Sequence, residues 1–198
     1  MDMRLIGTLS LVWLFMATAA LAQSDNASVV DRNGNPLERG QEYYIRPAIT
    51  DSGGRFTLIN RTESCPLYAG QENTDSPEGL PVTFEPFAEE DDTVKVNRDF
   101  KLTFSAATTC IMSTTWMLGQ NDTQSGRRLI VTGDDGGYGN YFRIVQAQFS
   151  GIYNIQWCPT QVCPTCRFLC GTVGNLRENG KLLLALDGSV LPVVFERA

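Results

Sequence analysis

The chain has 198 residues, a formal net charge of −6, 42% hydrophobic residues, six cysteines and no histidine. That length suits one domain with a real core, and with no basic cluster beyond Arg127-Arg128 the charge argues against nucleic acid or an anionic membrane as the main partner. The missing histidine removes Ser-His and Cys-His nucleophile pairs, His-ligated zinc and the usual general base.

Residues 1–22 read as a cleaved secretory signal. Arg4 gives a short positive start, residues 5–21 are mostly apolar, and Ala20-Leu21-Ala22 fits a small-x-small cleavage site. Residues 23–198 then form a single domain without a membrane anchor. An even number of cysteines on an exporting route reads as three disulfides, for which 15 pairings are open. Three glycosylation sequons, at Asn26, Asn60 and Asn121, agree with export. The expected destination is extracellular, or the vacuole.

No run places apolar residues at i, i+3, i+4 and i+7. Short alternating or apolar runs recur at residues 43–45, 56–59, 82–84, 94–96, 100–104, 129–131, 141–145, 152–157, 181–186 and 190–195. Turn formers separate them, among them Asn33-Gly34-Asn35-Pro36, Asp51-Ser52-Gly53-Gly54 and Asp187-Gly188. This pattern predicts an all-β barrel or sandwich. Residues 43–45, 101–104 and 153–156 repeat faintly, as do 80–86, 141–147 and 191–197. Three units of four strands each predict a pseudo-threefold barrel of about twelve short strands, whose closure hides most strand edges. Trp116, Phe142, Phe149 and Trp157 lie in apolar strands and are expected in the core. The glycine-rich stretch at 133–139 has two aspartates that would repel phosphate and no following Lys-Ser/Thr, so it reads as a turn. Gln156-Trp157 does not have the spacing of a sugar-binding trefoil element. No acid/base constellation or cofactor motif is found, so neither an enzyme nor a cofactor is expected.

Residues 80–94, LPVTFEPFAEEDDTV, begin as a strand and then break at Pro86 into four consecutive acids, Glu89, Glu90, Asp91 and Asp92. Adjacent like charges repel and hydrate well, so residues 87–92 are expected to stand in water as a displayed loop.

Residues 29–45 carry Val29, Asp31, Gly34, Leu37, Tyr43 and Ile45 in the pattern aliphatic, x, Asp, x2, Gly, x2, aliphatic, x5, Tyr, x, aliphatic. With Cys65-Pro66-Leu67, Cys158-Pro159 and Leu191-Pro192-Val193-Val194-Phe195, this resembles the Kunitz-type soybean trypsin inhibitor family, and the cysteine run 158–170 resembles its miraculin-like branch. The resemblance implies a β-trefoil that inhibits serine proteases of endogenous or foreign origin through a substrate-like loop, as a monomer in plant defence. It implies the pairs Cys65–Cys110 and Cys158–Cys170, leaving Cys163 with Cys166. A zinc or redox role for the last four cysteines is the alternative, disfavoured on an oxidising route. It also places the reactive side chain near Phe87, Ala88, Glu89 and Glu90, with Glu89 foremost.

Two departures stand against inhibition of trypsin. A trypsin pocket holds a carboxylate and wants Arg or Lys, so Glu89 would bring it a second, uncompensated one. The family's loop-supporting Asn is matched here by Arg39, which can only donate. A second candidate loop carries Arg167 and Phe168 between stapled cysteines. The competing reading is a miraculin-like binding protein with a receptor, a carbohydrate or another hydrolase as partner.

Overall fold

A computed structural model describes residues 27–73 and 78–198. The signal segment and Asn26 lie outside the described residues. Thirteen strands run in chain order: β1 Tyr43–Pro47, β2 Phe56–Ile59, β3 Tyr68–Gln71, β4 Val82–Pro86, β5 Asp99–Phe104, β6 Trp116–Asn121, β7 Arg128–Thr132, β8 Phe142–Gln146, β9 Tyr153–Trp157, β10 Gly171–Glu178, β11 Lys181–Leu186, β12 Ser189–Val190 and β13 Val193–Arg197. The helical content among the described residues is a single 3-10 turn at Tyr138–Asn140.

Six strands close a ring. β1 pairs with β13 and β4, β5 with β4 and β8, and β9 with β8 and β13, all antiparallel. Three hairpins, β2–β3, β6–β7 and β10–β11, cover the ring, and β3, β7 and β11 pair with one another at the centre of this cap. Each unit supplies two barrel strands and one cap hairpin, so the fold is a β-trefoil.

The ladders give the threefold register. Tyr43 faces Arg197, Phe100 faces Pro86 and Tyr153 faces Gln146 at the three hairpin-like seams. The same three residues face Val82, Phe142 and Val193 across the other three seams. Phe100, not Lys101, is therefore the counterpart of Tyr43 and Tyr153, and residues 140–146, not 141–147, match 80–86 and 191–197. Side chains alternate faces along a strand, so this one-residue slip matters. Tyr43, Phe100, Tyr153, Val82, Phe142 and Val193 all fill the barrel, followed inward by Ile45, Leu102, Ile155, Phe84, Ile144 and Phe195. Phe84 sits among Phe100 at 5.3 Å, Phe195 at 5.7 Å and Tyr43 at 6.1 Å, in edge-on or tilted geometry.

The N-terminal signature has a packing explanation. Val29, Leu37, Tyr43 and Ile45 are wholly buried. The Asp31 carboxylate accepts the backbone N–H groups of Asn33 and Asn35, closing a turn that needs Gly34 at φ +84°. The Tyr43 hydroxyl accepts the Glu38 amide at 2.9 Å.

Several expectations change. Residues 94–96 form no strand; Thr93 and Lys95 make isolated bridges to Glu38 and Ser28, and Val29 N–H donates to the Val94 carbonyl and Val94 N–H to the Leu37 carbonyl. Strands β3, β6 and β10 fall outside the runs read from the sequence; β3 and β10 are rich in glycine and polar residues, and β6 ends in Gly119-Gln120-Asn121. Trp116, Phe142 and Trp157 are core, but Phe149 is 69% exposed in the β8–β9 turn. There it lines a surface groove of about 480 Å³ with Ile49, Ile152, Val190 and Pro192.

Candidate functional site

The β4–β5 connection, residues 87–98, is the longest turn between adjacent barrel strands; its β8–β9 counterpart has six residues. Both shoulders of its first part are tied down. The Phe87 amide donates to the Asp99 carbonyl at 2.9 Å, and the Phe87 ring meets Tyr141 edge-on at 5.6 Å. On the far side Asp91 turns inward. Its amide donates to the Ala88 carbonyl at 3.1 Å, closing a turn, and its carboxylate is 4% exposed beside Lys95, with Arg98 at 3.9 Å. The acidic run thus does not stand in water as a whole. The two flanking cations offset the desolvation cost that would expel an unpaired carboxylate from this position.

Arg39 braces this loop from below. Its Nη2 donates to the carbonyls of Ala88 at 2.8 Å, Glu89 at 3.3 Å and Pro86 at 3.4 Å, and its Nε to Asp91 at 3.1 Å. Its backbone N–H donates to the Asp92 carbonyl at 2.8 Å. Being able only to donate is no handicap, because what the loop turns toward residue 39 is a set of carbonyls. Glu89 and Glu90 remain exposed, and among the described residues neither carboxylate lies within ion-pair distance of a cation. Ala88 is half-buried and Phe87, though 39% exposed, is held against Tyr141, so the acids are the freest side chains of the loop.

The cysteines pair as Cys65–Cys110, Cys158–Cys170 and Cys163–Cys166, leaving none free. No thiolate remains to bind zinc, so that alternative is set aside. In the nested loop Arg167 is exposed and contacts no acid or ring among the described residues. Phe168 turns inward against Trp157 at 5.3 Å and Tyr138 at 5.6 Å, which leaves Arg167 and Leu169 as that loop's outward side chains.

Asp99, at the start of β5, was not singled out from the sequence, and it joins the two loops. Its carboxylate is 1% exposed and accepts from Arg143 Nε at 3.0 Å and from the amides of Gln161 and Val162 at 2.7 and 3.1 Å. Its own amide donates to Gln161 Oε1 at 2.9 Å. The acidic loop and the base of the stapled loop therefore hang from one residue. The partners of its carboxylate lie 44 to 63 positions away, so no local pattern announces it.

The cap carries an ion network. Arg61 is bidentate to Glu178 at 2.7 and 2.8 Å and also donates to Asp122 at 2.9 Å. Hydrogen bonds from Arg61 and then Ser125 hold the Asp122 carboxyl well below the usual carboxylate range, while Glu178 and Asp122 raise the Arg61 guanidinium. The sequon residues Asn60 and Asn121 are exposed on either side of this network.

A trefoil with a closed six-stranded barrel that clamps the backbone of one loop and leaves Glu89 and Glu90 in solvent is suited to presenting a peptide to a partner's cleft. The sequence model of the legume Kunitz family, described as trypsin and protease inhibitor, matches residues 29–197, and the chain belongs to that family. It is 53% identical over 203 residues to Kunitz type trypsin inhibitor 106 of Medicago truncatula, covering 100% of this chain and 98% of that one. Miraculin of Synsepalum dulcificum is a more distant relative at 32% identity over 91% of this chain and 87% of that protein. Among solved structures, alocasin, a protease inhibitor from giant taro, superposes with a TM-score of 0.74 at 31% identity, covering 86% of this chain and 99% of that one.

Proposed function

We propose that this chain is a secreted inhibitor of a protease, acting as a monomer by inserting the tip of residues 87–90 into the enzyme's cleft. The observation that carries this reading is the Arg39 clamp on the carbonyls of Pro86, Ala88, Glu89 and Asp91. A loop already ordered on its scaffold loses little entropy on binding, and one still tied at both ends after cleavage stays in place. Trypsin is a poor target for the wild-type loop, since no Lys or Arg stands among residues 87–90. Secretion is supported by three disulfides and exposed sequons on one small chain. Arg167, held out by two nested disulfides, is a second contact of the same kind.

The test is an inhibition panel of trypsin, chymotrypsin, elastase, subtilisin, a cysteine protease and a serine carboxypeptidase. It is run on the wild type, Glu89→Arg and Arg167→Ala. The expected result is that Glu89→Arg inhibits trypsin at least 100-fold better than the wild type. If no variant inhibits any protease at micromolar concentration, the inhibitor reading is wrong. An inhibition that Arg167→Ala leaves untouched assigns it to the acidic loop alone.

A further inference from the structure

The four acids of the loop have different environments. Asp91 is internal and cation-bound, and Asp92 is tied through its carbonyl to the Arg39 amide. Only Glu89 and Glu90 occupy the two central positions of the turn closed by Asp91 N–H and the Ala88 carbonyl. A rigid backbone thus offers acidic side chains with no ion-pair partner among the described residues, beside a Phe87 ring that is 39% exposed but packed edge-on against Tyr141. An unpaired carboxylate loses its hydration when it enters a pocket, and only a cation inside the pocket offsets that loss. The same argument rejects trypsin-like pockets by like-charge repulsion, so the loop selects in both directions. The loop is continuous with β4 and β5 at its two ends and has no free terminus, so the fitting enzyme is one that cleaves within chains.

Resting on the reading of residues 87–90 as the inserted loop, we propose that its target is an endopeptidase with a cationic primary pocket, one that cleaves after glutamate, and that Glu89 fills that pocket. Glu89 is favoured over Glu90 by its bracing. Arg39 holds the Ala88 carbonyl at 2.8 Å directly before it and touches its own carbonyl at only 3.3 Å, leaving that oxygen a lone pair for the enzyme's donors. Phe87 would have to leave Tyr141 to serve an aromatic pocket, and Ala88 is half-buried against the brace.

Purified protein is assayed against a glutamate-specific serine endopeptidase, trypsin, chymotrypsin and elastase, as wild type, Glu89→Arg, Glu90→Arg and Glu89→Ala. The wild type is expected to inhibit the glutamate-specific enzyme at micromolar concentration or below and to leave trypsin active. Glu89→Arg should lose at least 10-fold against the glutamate-specific enzyme and gain at least 100-fold against trypsin. Glu89→Ala should lose the first activity without gaining the second. If Glu89→Arg blocks trypsin while the wild type leaves the glutamate-specific enzyme untouched, the loop works and the cationic-pocket proposal is wrong. If Glu90→Arg makes the switch and Glu89→Arg does not, the assignment to Glu89 is wrong. When neither arginine variant inhibits trypsin and the wild type inhibits nothing, the inserted-loop reading itself fails.

Discussion

Arg39→Ala isolates what the brace does. The substitution removes four donor contacts to loop carbonyls, two of them short, at 2.8 Å to Ala88 and 3.1 Å to Asp91. A hydrogen bond from a charged donor contributes roughly 1.5–3 kcal/mol. These carbonyls lie near the surface, where water replaces part of each bond. The loss on local opening is thus set at about 1.5–3 kcal/mol for the whole brace. That corresponds to an opening equilibrium about 10- to 150-fold larger. Two amides report on it: Phe87 N–H, bound to the Asp99 carbonyl, and Asp91 N–H, bound to the Ala88 carbonyl. Native-state hydrogen exchange should show both exchanging faster by that factor, while amides of β5 and β8 keep their protection. Arg39→Lys should behave nearly as the alanine variant, because one ammonium cannot span four carbonyls. Where a target protease is in hand, its inhibition constant should weaken in parallel as the freed loop is reordered on binding. Exchange of Phe87 and Asp91 within threefold of wild type would refute the claim that Arg39 organises the loop.

Three further outcomes follow from the same contacts. Asp122 has a folded pKa depressed by Arg61 and Ser125. Its stabilisation is therefore present above the ordinary carboxylate pKa of ~4 and is lost as pH falls through the lower folded value. Urea unfolding of Asp122→Asn against wild type should show a gap at pH 7 that narrows below about pH 4, and a gap that widens with acid would contradict the assignment. Replacing Cys65 and Cys110 by serine opens a loop with a sequence separation of 45 and should destabilise by ~4 kcal/mol, against ~2 kcal/mol for Cys163 and Cys166, separated by 3. Chemical denaturation reads both, and the reverse order would be inconsistent with chain-entropy control. Phe149→Ser should shift stability by less than about 0.5 kcal/mol, since the ring is already in solvent; a loss of 2 kcal/mol or more would show that it packs.

The trefoil was legible because burial alternates on strands whose turns are marked by Gly, Asn, Asp and Pro. Its register was not, and two residues show why. Lys101 stands beside Phe100 in a stretch where either could head the repeat; only the ladder, which sets Lys101 against Glu85 and Phe100 against Pro86, decides between them. Asn140 occupies the position that Leu191 fills in the third unit. It is wholly buried and donates to the carbonyls of Trp116 and Gly133 at 2.9 and 2.7 Å. A polar residue whose amide nitrogen is held by buried backbone carbonyls looks like surface in a sequence, so the second unit's signal reads one residue late. The candidate loop was located by its motif and its acidity. Its bracing depends on pairs 47 to 52 residues apart, which no local pattern encodes.

Arg39 and the acids belong to one arrangement. Read singly, each departs from the trypsin-directed pattern: a donor-only residue at the supporting position, and no cation at the tip. Together they are compatible, because a guanidinium beneath the turn binds the carbonyls and, though beyond ion-pair distance of Glu89 and Glu90, attracts both acids weakly through solvent. It would repel a lysine or arginine placed at the same tip. Asp91 supports the same logic from the other side, since turning it onto Lys95 and Arg98 removes one charge from the displayed run. The brace, the anchor and the displayed acid thus favour one specificity, and a return to trypsin by Glu89→Arg alone should fall short of the same change made together with Arg39→Asn.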